Sequence, residues 1–190
     1  NASSVDVHEL SLGIFNAQGI AKTAGVSFDD LTTTLAALSP RFASSSEAGN
    51  SLKNVIARLQ PTTTPAIAAM EGLGLITSEG GNRFYDLQGS FVGFEQASQI
   101  LQDSLKGLTD QQKQATLQAI FGNDAMNAAS GLAELGAAGY QHMAESLDKA
   151  NGVQANAALM QQGYNTALEN AKGSVEALQI TIGSALLPIL

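Results

Sequence analysis

The side chains able to do chemistry are few and scattered along this 190-residue chain. His8 precedes Glu9, and His142 precedes Glu145 by three residues. A carboxylate near an imidazole can orient a general base or share a metal ion. Neither pair has a third ligand at helical spacing, and no second histidine makes a zinc pair, so both read as surface histidines. Asp29-Asp30, Asp103, Asp110 and Asp124 are the carboxylates to weigh for acid/base work. Asp29, Asp30, Asp110 and Asp124 fall in expected first helical turns, where they favour the helix dipole. Asp103 suits an exposed helix face. Gly80-Gly81-Asn82 lacks both the Lys-Ser/Thr of a P-loop and the spacing of a dinucleotide loop, so it reads as a turn. There is no G-x-S-x-G elbow and no cysteine. The sequence therefore offers no catalytic, cofactor-binding or metal site residue, and a non-enzymatic role is expected.

Composition agrees with that expectation. Hydrophobic residues make up 44% and aromatics only 5%, without tryptophan, which favours helices packed through small side chains over an aromatic-lined pocket. The net charge of −8 is spread along the chain with no Lys/Arg cluster, which argues against nucleic-acid binding. The start, Asn1-Ala2-Ser3-Ser4, carries no signal pattern, and the apolar end stops abruptly, so a fragment of a longer chain is expected.

The elements that position these residues are mostly helices. Val5, Leu10, Ile14, Ala17 and Ala21 recur at helical spacing over 5–24, with Gly25 as a stop. Ser27 with Asp30 resembles a capping box for a second helix, Phe28 to Leu38, lined by Leu31, Leu35 and Leu38. Ser46 is a cap for a third, Glu47 to Leu59, with Leu52, Val55, Ile56 and Leu59 inward. Thr64 before Pro65 starts a short fourth. Residues 75–86 read as two short strands around a glycine turn. A fifth helix, about Phe94 to Lys106, places Ala97, Ile100, Leu101 and Leu105 inward. Thr109 and Gln112 form a capping box for a sixth, Asp110 to Phe121. Gly122 stops it, Asn123 caps the next, and Gly136 and Gly139 break that one before Tyr140 to Ala150.

From Val153 to about Leu187 no proline interrupts, and Ala157, Tyr164, Ala171, Leu178 and Ala185 recur every seven residues. Such a repeat favours a long helix packed against a partner as a coiled coil. The fold class inferred is all-α, mainly helical: a bundle of short helices with one small β-hairpin near 75–86 over residues 1–151, then a long projecting helix over 152–190 that starts a rod. Homo-oligomer contact through that C-terminal helix is expected. Residues 180–190 are uncharged but shorter than the ~20 residues a membrane span needs.

Several stretches together carry a family likeness. They are Ala24-Gly25-Val26-Ser27-Phe28-Asp29-Asp30-Leu31, then Ala48-Gly49-Asn50-Ser51-Leu52-Lys53 leading to Arg58-Leu59, and Leu73-Gly74-Leu75. Phe84-Tyr85-Asp86-Leu87-Gln88-Gly89-Ser90-Phe91, Ile120-Phe121-Gly122-Asn123-Asp124-Ala125 and Leu178 to Gly183 before Leu187-Pro188 complete the set. In this order the sequence resembles the core region of tailed-phage tail tape measure proteins, the TP901-like family, from about Ala24 to Leu190. It departs at Asn50, often Thr in that family, and at Asn127, often Arg. The resemblance implies a virion protein of a phage or prophage that sets tail length during viral tail assembly. It implies a place in the tail tube lumen, after assembly in the host cytoplasm, and a part in genome ejection. It implies contact with tail tube and tail-tip proteins and tail assembly chaperones, and no catalytic motif; the charge pattern adds no specific nucleic-acid binding, and membrane contact during ejection is left open. The alternative reading is a membrane-active, pore-forming or peptidoglycan-active module of a phage tail.

Overall fold

The computed structural model describes residues 7–149, which lie in one compact unit. Its helices are α1 (Val7–Thr23), α2 (Phe28–Leu38), α3 (Ser45–Arg58), α4 (Thr64–Gly72), α5 (Phe94–Ser104) and α6 (Asp110–Lys149), with a short 3-10 turn at Ser39–Arg41. The helical class is thus the one that the periodicity implied. Val5, the side chain of His8, the expected boundary after 151, the long helix of 152–190 and the apolar run 180–190 lie outside the described residues.

Most helix starts follow local side-chain chemistry. Ser27 Oγ accepts from the Asp30 N–H at 3.1 Å and caps α2. Thr109 and Gln112 form the full capping box at the head of α6, with the Thr109 N–H donating to Gln112 Oε1 at 2.9 Å and the Gln112 N–H to Thr109 Oγ1 at 3.3 Å. Two caps sit earlier than the sequence reading placed them. Ser44, not Ser46, caps α3: its Oγ accepts from the Glu47 N–H at 3.2 Å, and Glu47 Oε2 accepts from the Ala43 N–H at 3.2 Å. The spacing is the S-x-x-E of a capping box, hidden in a run of three serines, with the Glu47 arm reaching one residue further back, to Ala43; Ser46 Oγ instead accepts from Asn16 Nδ2 at 2.8 Å. Thr63, not Thr64, caps α4, accepting from the Ala66 N–H at 3.4 Å.

The small hairpin does not form. Residues 75–92 hold two isolated antiparallel bridges, Ile76 with Asn82 and Tyr85 with Phe91, and no strand occurs among the described residues. The cause is Asn82 and Asp86. Asn82 Nδ2 donates to the Leu59 carbonyl at 2.8 Å while its Oδ1 accepts from the Phe84 N–H at 3.0 Å, which ties the chain to the end of α3 after one rung. Asp86 Oδ1 accepts from the N–H groups of Gln88 and Ser90 at 2.9 and 2.8 Å and turns the chain again. Leu75 and Phe84 anchor both loops, fully buried.

The core is where the helical faces predicted it. Leu10, Ile14, Leu31, Leu35, Leu52, Val55, Ala97, Leu101, Leu117 and Phe121 are all buried. α6 is the spine and packs on α5, α3, α2 and α4, while α1 packs chiefly on α3. The α1–α3 crossing runs through Gly13 and Gly49, where backbone meets backbone. A Cβ on Gly49 would strike the Gly13 carbonyl oxygen and lie 2.7 Å from its Cα; one on Gly13 would lie 2.5 Å from the Ser45 oxygen.

Candidate functional site

The most constructed part of the unit is the path of α6, which bends sharply at Gly122 and again at Gly136. Gly122 has φ 64 and ψ 175, and Gly136 has φ 58 and ψ −174, a region essentially closed to residues with a Cβ. Three helical segments result, 110–121, 123–135 and 137–149. Gly122 and Gly136 end their helices as the sequence reading expected, whereas Gly139 stays helical.

At the first corner Phe121 is the buried anchor, with no exposed surface. Its carbonyl, which the bend removes from the helical ladder, accepts from Arg58 Nη1 on α3. Ser51 on the same helix donates to the Asp124 carbonyl at 2.8 Å. Asn123 is not the cap of the next segment. It lies within the helix, its Oδ1 accepts from Gln118 Nε2 at 2.9 Å, and Gly122 itself holds the cap position. The compact unit continues past this corner: Ala125, Ala128, Ala129 and Leu132 beyond it are fully buried.

Asp30 does more than favour a helix dipole. The N-cap position of α5 is Gly93, which has no side chain to cap it, and Asp30 of α2 supplies the missing acceptor: the Phe94 N–H donates to its Oδ2 at 3.0 Å. Tyr140 of α6 donates its hydroxyl to Asp30 Oδ1. One carboxylate therefore joins α2, α5 and the last segment of α6. Burial pushes the Asp30 carboxyl above the ordinary aspartate range, against the hydrogen bonds from Tyr140 and Phe94, and Glu95 adds to the rise. Burial, followed by the bond to Asp30 and its charge, pushes the Tyr140 phenol above its ordinary value.

These contacts make two expectations. Asp30→Ala leaves the Phe94 N–H and the Tyr140 hydroxyl without their partner and should cost about 2 kcal/mol, read as a lower urea midpoint; Asp30→Asn, which keeps an acceptor, should cost less than half as much. Tyr140 titrates higher folded than unfolded, so its contribution is whole below the unfolded value of about 10 and is lost as the pH rises past it. Stability measured from pH 9 to 11 should fall more steeply in the wild type than in Tyr140→Phe, with Tyr85, also raised by burial, common to both proteins.

The remaining chemistry-bearing residues stay apart. His142 is exposed, and its carbonyl accepts from Ser146 Oγ at 2.7 Å. Ser146 and Lys149 stand at S-x-x-K spacing, but Lys149 pairs with Glu145 at 3.4 Å and Ser146 with the His142 carbonyl, so the two do not meet as a nucleophile and base. Asp103 is held below the usual carboxylate range chiefly by the Gln99 amide. Asp110 pairs with Lys113 at 3.4 Å. Among the described residues no group of His, Asp and Glu is arranged to hold a metal ion.

An open groove of about 810 Å³ lies between the end of α5 and the first two segments of α6. Leu105, Leu117 and Met126 line it together with Lys106, Lys113 and Glu134. Its charges are already paired, Lys106 with Asp103 and Glu134 with Arg41, the latter at 2.7 Å. Apolar side chains project elsewhere: Phe15 is 66% exposed on α1, and Leu87 is fully exposed at the tip of the Asp86 turn. No helix among the described residues is long and apolar enough to cross a membrane.

The arrangement has the character of a packed scaffold with sticky edges, and comparison with known proteins bears on what it serves. The profile of a family described as "Phage-related minor tail protein" matches residues 1–122. A protein named "Tape measure protein" from Pneumococcus phage Dp-1 is 22% identical over 172 residues, 90% of this chain and 14% of that relative. The chain thus spans about one-seventh of the relative's length. No solved structure matches it.

Proposed function

Since the chain belongs to the phage-related minor tail protein family, a structural component of the phage tail, we propose that it is a stretch of a tail tape measure protein. In this reading the full-length protein sets tail length during assembly, occupies the tube lumen and leaves it during genome ejection. The observation that carries the reading is the likeness to the Dp-1 tape measure protein along 90% of the chain. The mainly helical build of the described residues is compatible with it, because a helix gives about 1.5 Å of length per residue in a form that fits a narrow tube.

Within this proposal, residues up to about 151 form a folded module on the protein, and residues 152–190 begin a rod. The seven-residue rows from Ala157 to Ala185 support the rod from sequence alone, and the same rows are the surface for self-association. Tail tube proteins, tail-tip proteins and assembly chaperones are the proposed partners. The exposed Phe15 and Leu87 are the side chains most available to them. The acidic balance of the chain disfavours a grip on DNA.

The ejection part of the proposal is tested on purified virions. Quantitative mass spectrometry should find the full-length protein in intact particles and find it depleted, relative to tube protein, after triggered ejection. Equal amounts before and after would refute that part while leaving tail membership intact.

A further inference from the structure

We propose that Gly136 is a switch point at which α6 passes between the bent form and a continuous helix, with two glutamines of α5 standing in for the helical hydrogen bond that the bend breaks. In a continuous α-helix the Ala137 N–H donates to the Ala133 carbonyl, four residues back. In the bent form both groups are still satisfied. The Ala137 N–H donates to Gln99 Oε1 at 3.1 Å, Gln99 Nε2 to Gln102 Oε1 at 3.5 Å, and Gln102 Nε2 to the Ala133 carbonyl at 3.2 Å. The broken bond is thus replaced by a relay of three, running through neighbouring side chains.

Such a relay makes the two forms close in energy. Straightening releases the glutamine amides to solvent and closes the direct bond, so neither the Ala137 N–H nor the Ala133 carbonyl is stranded in either form. The segment beyond the corner is also lightly held. In 137–149 only Tyr140 is buried; beyond the Ala137 bond to Gln99, the segment is held by the Tyr140 hydroxyl, which bonds Asp30 and meets the Thr33 and Thr34 hydroxyls, and by Gln141 Nε2 donating to Glu95 Oε1 at 2.6 Å. The first corner differs: the segment after Gly122 carries fully buried Ala125, Ala128, Ala129 and Leu132, so it stays bent. The switch is therefore local to Gly136. It belongs to these side chains whatever the full-length protein does in the tail.

The chain has no cysteine, so labels can be placed singly. Spin labels at Gln96→Cys on α5 and Ser146→Cys on α6, both exposed positions, report the separation of the last segment from α5 by pulsed dipolar spectroscopy. Two variants are compared with the parent. Gly136→Ala disfavours φ 58 and places a Cβ 2.6 Å from the Gln102 amide. The pair Gln99→Leu and Gln102→Leu removes the relay and leaves the glycine. Both should lengthen the label distance by about 10–20 Å, since 137–149 is about 20 Å long at 1.5 Å per residue, with helical circular dichroism held or raised. An unchanged distance in both variants overturns the proposal. So does lengthening with loss of helicity, which is unfolding of the segment and not straightening.

Discussion

Gly49→Val is expected to lower folding stability by about 3 kcal/mol or more, against a gain of about 1 kcal/mol for Gly19→Ala. Gly49 lies inside α3 and Gly19 inside α1, both within helices where alanine has the better intrinsic propensity. The surroundings decide the sign. At Gly19 a Cβ would meet nothing within 4 Å. At Gly49 it would strike the Gly13 carbonyl oxygen and lie 2.8 Å from the Gly13 carbonyl carbon, and these are backbone atoms of the facing helix that have no rotamer to change. The only relief is separation of α1 from α3, which would open the contact over Leu10, Ile14 and Ala17 on one side and Leu52 and Val55 on the other. Even Gly49→Ala should destabilise, a reversal of the propensity order that chemical denaturation resolves directly. Equal and small effects at both glycines would show that the crossing is looser than the structure has it.

Gly122→Val is expected to cost about 3 kcal/mol, from backbone strain plus the loss of a partner for the Phe121 carbonyl. The φ of 64 with ψ 175 is the first part. The second follows because a Cβ here runs into the Arg58 guanidinium, with Cζ only 3.1 Å away, and displaces the side chain that satisfies that carbonyl. Arg58→Met removes the partner alone and should cost about 1.5 kcal/mol. If the two variants melt alike, the strain part of this account fails. Straightening offers no escape at this corner, because Phe121 and Ala125 are buried on either side of it.

The Gly122 corner also shows how far the sequence alone carries. Leu117, Ile120 and Phe121 at helical spacing, followed by glycine, announce a buried helix end, and that is what forms. Asn123 looked like the next cap because asparagine commonly serves there, but a glycine in this conformation takes the position itself and frees Asn123 to bond Gln118. Arg58, 63 residues away in the chain, carries no local sign that it caps the corner. Asp30 is the same case. Its place three residues after Ser27 signals a helix start, which is correct, but its carboxylate goes to Phe94 and Tyr140, and no short-range pattern predicts a partner 64 or 110 residues on. Local propensity and hydrophobic spacing are properties of neighbours in sequence; corner caps supplied from another helix depend on the packing. The hairpin failed for a related reason: Asn82 turns to the end of α3 instead of extending a ladder. The family likeness was legible because it rests on the order of many short stretches, several of whose residues (Gly49, Ser51, Arg58, Phe121 and Gly122) prove to be packing and corner residues.

The proposal that the full-length protein's helical length sets tail length is tested most directly by electron microscopy of phage carrying an altered gene. An in-frame deletion of residues 157–184, four of the seven-residue repeats, should shorten the tail by about 40 Å at roughly 1.5 Å per residue, and a duplication of the same stretch should lengthen it equally. Particles that contain the altered protein yet keep the parental tail length would contradict the account.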